Sequence, residues 1–131
     1  MAQSAAGMST IVVGYSSKPE GRAALERAVA EATLRHSRLI VVHTSPEDEV
    51  ASLNSQLQGS GVAYEVRQAP DALDPAEELI SAAESSDAEF IVIGLRRRSP
   101  VGKLLLGSNA QRVLLDASCP VLAVKAEPQK A

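Results

Sequence analysis

The chain has 131 residues, 45% of them hydrophobic and 22% charged, and a net charge of −3; that is the size and make-up of one globular domain able to bury a core without metals or disulfides. The negative balance excludes a general nucleic-acid binder, which needs a basic surface, and lone Cys119 excludes an internal disulfide and suits a reducing compartment. No apolar run approaches the roughly 20 residues of a membrane span, and Met1 to Ser9 lacks the basic and apolar segments of a secretory signal, so a cytoplasmic location without membrane contact is expected.

Met1 to Ser9 and Glu127 to Ala131 read as frayed ends of a single domain spanning 1–131, with an ordered core over about residues 9–126. Aromatic residues make up only 2%, so that core must be built from Val, Ile, Leu and Ala. The first strand is Thr10-Ile11-Val12-Val13-Gly14, apolar without alternation, as in a strand covered on both faces. Ser17 and Glu20 have capping-box spacing with Pro19 between them. Leu25, Ala28, Val29 and Ala32 then give the stripe of an amphipathic helix ending near His36.

Leu39-Ile40-Val41-Val42-His43 is the second strand, and Pro46 opens a weaker helix carrying Val50, Leu53 and Leu57 that stops at Gly59 and Gly61. A short alternating third strand, Val62 to Val66, suits a sheet edge. Asp74-Pro75-Ala76-Glu77 is a second capping box, followed by a stripe of Ala76, Leu79, Ile80 and Ala83. The fourth strand, Phe90-Ile91-Val92-Ile93-Gly94, leads into a long loop. Ser108 and Gln111 make a third capping pair, with Ala110, Val113, Leu114 and Ala117 as the last stripe. Cys119-Pro120 breaks that helix before a fifth strand, Val121 to Val124. Strands separated by helices run parallel with right-handed crossovers. The pattern βαβαβαβαβ therefore predicts an α/β fold: an open, doubly wound, five-stranded parallel sheet with helices on both faces, for which the common doubly wound orders suggest 3-2-1-4-5.

In such a sheet, ligands bind beyond the carboxyl ends of the strands, where the winding reverses. If the first and fourth strands are neighbours, Gly14-Tyr15-Ser16-Ser17 faces the segment from Gly94 to Ser108 across that point. The second segment holds Gly94, Gly102 and Gly107, with Arg96, Arg97, Arg98 and Lys103 among them, and Ser108 and Asn109 open the last helix. A helix start carries about half a positive charge and several unpaired amide donors, which together favour phosphate. The segment is not a P-loop, because Leu104 follows Gly102-Lys103 where Ser or Thr is required. Arg-Arg-Arg could equally be a solvated loop. His43 and Cys119 read as packing residues, and Tyr15 as either a packing or a base-stacking residue. Two His residues without a supporting Cys or carboxylate group make no metal site. No paired carboxylates or activated nucleophile are evident, so no catalytic residues are assigned.

The sequence resembles small single-domain bacterial members of the universal stress protein family. The resemblance runs from Thr10 to Lys125 and rests on Ile11 to Tyr15, Val41-Val42-His43, Phe90 to Gly94, Gly102 to Ser108 and Cys119 to Val124. It implies a stress-response regulator, a homodimer paired through the last strand, and ATP or another adenine nucleotide as ligand, with Mg or Mn undecided and at most slow, incidental hydrolysis. ATP would lie between Gly14 to Ser17 and Gly94 to Ser108, with adenine near Val42 to Thr44. Gly94 and Gly107-Ser108 keep the spacing of the ATP-binding loop, Arg97 stands at its middle glycine, and Ser16 stands where ATP-binding members carry Asp. Those two departures support an alternative, a nucleotide-free dimeric interaction module with a degenerate pocket. An enzyme for a small phosphorylated substrate is a third, weaker reading.

Overall fold

A computed structural model describes residues 8–44, 47–69, 75–97, 104–105 and 107–126. In chain order the elements are β1 (Thr10–Tyr15), α1 (Pro19–Arg35), β2 (Arg38–His43), α2 (Glu47–Gln58), β3 (Tyr64–Gln68), α3 (Pro75–Ser86), β4 (Phe90–Arg97), β5 (Leu104–Leu105), α4 (Ser108–Asp116) and β6 (Val121–Lys125). Five parallel strands lie in the order β3-β2-β1-β4-β6, the 3-2-1-4-5 arrangement expected. β5 is an addition. It pairs antiparallel with the end of β4, Arg96 opposite Leu105 and Arg97 opposite Leu104. The fourth strand therefore runs three residues beyond Gly94, and the segment expected to be loop throughout is partly a hairpin.

The apolar strands split their side chains between two cores, as the period of 2 requires. Ile11, Val13, Leu39, Val41 and Val92 face α1 and α2, meeting Leu25, Ala28, Leu53 and Leu57. Val12, Ile40, Val42, Ile91 and Ile93 face α3 and α4, meeting Ala76, Leu79, Ala83 and Val113. Each Val, Leu or Ile so buried stabilises the fold by about 1.5–3 kcal/mol. The small residues of α1 and α3, Ala24, Ala28, Ala76 and Ala82, are all fully buried and let those helices lie close on the sheet. Leu114, expected in the last apolar stripe, is instead 38% exposed; Val113 alone is buried from α4, because α4 rests on α3 and the sheet along a narrow seam. Arg112 Nη2 donates to Glu77 Oε2 at 2.6 Å, tying α4 to α3.

Several boundaries differ from the sequence reading. β3 lies two residues later than Val62 to Val66, with Tyr64 opposite Leu39 and Val66 opposite Val41; cross-strand pairing with β2 sets its limits. The Ser17–Glu20 capping box does not form. Lys18 is the cap residue of α1, Pro19 takes the first helical position, and no side chain caps it. Pro19 fixes the helix start, and Glu20 turns to Arg96 instead. Nor does Ser108 cap α4: Gly107 is the cap residue, with φ −69 and ψ 167, so Ser108 is the first helical residue. α1 ends on His36, whose left-handed φ of 57 turns the chain so that the Ser37 amide donates back to the Ala32 carbonyl at 2.9 Å. Asp74 and Pro46 lie outside the described residues. Among the described residues, no helix is long and apolar enough to cross a membrane.

Candidate functional site

β1 and β4 are neighbours, paired from Ile11 opposite Phe90 to Val13 opposite Val92. Their carboxyl ends therefore do face one another, and the winding reverses between them. A cleft of about 260 Å³ opens there, walled by Gly14, Tyr15 and Ser16 at the end of β1, Val42, His43 and Thr44 at the end of β2, Ile93 and Gly94 of β4, Pro75 and Leu79 of α3, and Asn109, Ala110 and Val113 of α4. Glu20 and Gly21, in the first turn of α1, complete it. That size is near the lower end of small-ligand pockets.

Of the residues expected at a site, Gly14, Tyr15, Ser16, Val42, Thr44, Gly94 and Asn109 come together in this cleft. Gly107 and Ser108 are exposed at the start of α4, beside Asn109 but not among the cleft walls. Arg97 closes β4 and pairs through its backbone with β5; its side chain, Gly102 and Lys103 lie outside the described residues. His43, expected beside the cleft, also lines it, whereas Glu20, Gly21, Pro75, Leu79, Ile93, Ala110 and Val113 were not anticipated as lining residues. The apolar ones follow from the sheet order, since they are the core residues nearest the strand ends. Glu20 carries no local signal, because its partner lies 76 residues away.

Glycines shape the floor. A side chain at Gly94 would overlap the Glu20 carbonyl, and one at Gly21 would overlap the backbone and hydroxyl of Ser16. β4, the turn after β1 and the first turn of α1 thus interlock through backbone contacts that exclude even a methyl group. At Gly14 an added Cβ would come within 3.2 Å of Leu79 Cδ1. Gly107 is different: nothing stands within 4 Å of an added Cβ among the described residues, and its φ is open to any residue. Ser16 Oγ accepts a long bond of 3.4 Å from the Lys18 amide.

The electrostatics are uneven. Glu20 is the one carboxylate on the cleft wall among the described residues, and Arg96 Nε donates to its Oε2 at 3.3 Å. The start of α4, which also lines the cleft, has no acidic residue in its first turn and, among the described residues, no side-chain cap. His43 is 3% exposed and contributes to the wall as a buried side chain. Cys119 packs against the second core, where burial pushes its thiol up and keeps it protonated. No group of three or more His, Cys, Asp or Glu side chains is placed to hold a metal ion among the described residues.

A doubly wound sheet with a cleft at its switch point defines a class of small α/β ligand-binding domains, and sequence comparison narrows it. The profile of the universal stress protein family matches residues 8–73 and 51–125, and the chain belongs to that family. It is 50% identical to a universal stress protein of Mycolicibacterium smegmatis over 126 residues, 88% of this chain and 96% of that one. Among solved structures, a universal stress protein from Archaeoglobus fulgidus superposes with a TM-score of 0.68 at 32% identity, covering 90% of this chain and 98% of that one. A structure of the universal stress protein from the same organism in complex with dAMP superposes with a TM-score of 0.63 at 25% identity, with the same coverage.

Proposed function

We propose that this chain is a stress-response regulator that binds ATP or another adenine nucleotide in the cleft between β1, β2, β4 and the start of α4. The observation that carries this reading is the convergence of the ends of β1 and β4 with the opening of α4 at one cleft. Adenine would lie against Val42 and Thr44, and the phosphates at Gly107, Ser108 and Asn109, where unpaired helix amides favour anions. The open space at Gly107 supports this placement, since nothing among the described residues calls for glycine there. The Archaeoglobus fulgidus relative with dAMP supports the ligand class. Among the described residues Glu20 is the one carboxylate on the cleft wall, and binding rather than turnover is assigned to the cleft. The working form would be a cytoplasmic homodimer of single-domain chains.

Gly107→Val tests the placement. Calorimetry should show ATP binding weakened at least tenfold, about 1.4 kcal/mol or more, with unchanged circular dichroism. Unchanged ATP affinity would refute the placement at the start of α4. One observation favours the nucleotide-free dimeric module instead: Ser16 turns its hydroxyl toward the backbone of α1. A stable dimer that binds no adenine nucleotide would establish that reading.

A further inference from the structure

We propose that Glu20, held in place by Arg96, selects ligands by the free hydroxyls of a ribose; this rests on the nucleotide reading of the cleft. Glu20 is the one carboxylate on the described wall, and its side chain is only 18% exposed. Arg96 Nε holds Oε2 at 3.3 Å, while Oε1 has no hydrogen-bond partner among the described residues. A carboxylate so placed accepts hydrogen bonds and donates none, so it attracts hydroxyl donors and repels phosphate.

Position separates the sugar from the base. The Glu20 backbone packs directly on Gly94, which puts its turn on the β4 side of the cleft. Val42 and Thr44 lie at the end of β2, two strands away across β1, roughly 9–10 Å at the spacing of neighbouring strands. With the base at β2 and the phosphates at the start of α4, the sugar between them is the part that faces Glu20. Ser16 is a poor rival acceptor, because its hydroxyl already receives the Lys18 amide and carries no charge.

Calorimetry with ATP and with AMP, each against its 2′,3′-dideoxy analogue, tests the role. The wild-type protein should prefer the ribose forms about tenfold, the scale of a hydrogen bond to a charged group. Glu20→Gln should lose most of that preference while holding the dideoxy ligands within about twofold. Equal wild-type affinity for ribose and dideoxy forms overturns the role of Glu20 and leaves the cleft reading standing, and this comparison needs no variant. A preference that survives in Glu20→Gln, or a loss equal for both forms, overturns it too. No binding of any of the four ligands overturns the cleft reading itself.

Discussion

Gly94 and Gly107 bound the same loop, yet the fold treats them differently. At Gly94 the chain has no room: a methyl group would run into the Glu20 carbonyl, so glycine lets β4 seat against the start of α1. At Gly107 the backbone is extended and nothing stands within 4 Å of an added Cβ among the described residues, so neither conformation nor the packing of those residues calls for glycine. One glycine serves the architecture. The other leaves the amides of α4 accessible from outside. Residue type and motif spacing do not separate these roles, whereas the space around each Cβ does.

Three stability measurements sharpen this contrast. Gly94→Ala should have the largest effect, a loss of about 3 kcal/mol in chemical denaturation, because the obstacle is backbone and cannot swing aside; a loss under about 1 kcal/mol would show that β4 and α1 separate easily. Arg96→Gln, at the same junction, should cost at most about 1 kcal/mol, since Arg96 is 42% exposed and exposed ion pairs are weak and screened by salt. Its effect should shrink further in high salt, which would place the hold between β4 and α1 in backbone contact rather than in charge. Gly107→Ala should change stability least, within about 0.5 kcal/mol: alanine caps a helix less well than glycine but also restricts the unfolded chain, and the two terms oppose each other. A large loss there would erase the distinction between the two glycines.

Continuous apolar runs such as Ile11 to Val13, Leu39 to Val42 and Phe90 to Ile93 disclosed the strands, and the helical stripes between them disclosed the winding. The order itself was assumed from the common doubly wound sheets, and with it seven of the expected site residues meet at one cleft. What escaped were features set by contacts distant in sequence. Glu20 looked like the partner of a local cap and proved to be bound to Arg96. The Arg-rich stretch after Gly94 has no strand pattern, and Arg96 and Arg97 extend β4 because Leu104 and Leu105 come back to pair with them. β3 slid by two residues, one whole period, so the alternation was read in phase and only the ends moved, which pairing with β2 sets. The caps of α1 and α4 moved because a single backbone angle, fixed by Pro19 in one case and adopted by Gly107 in the other, decides where a helix starts.

The tie between Arg112 and Glu77 reaches beyond the two helices it joins. Pro75 and Leu79 stand on α3, Asn109, Ala110 and Val113 on α4, and all five line one cleft. The exposed pair adds little by itself, but it sits beside the buried packing of Val113 on Ala76, Leu79 and Ala83, and that packing sets the spacing of the two helices before anything enters. A guest therefore meets a preorganised mould, and less of its interaction free energy is lost to ordering the host on capture.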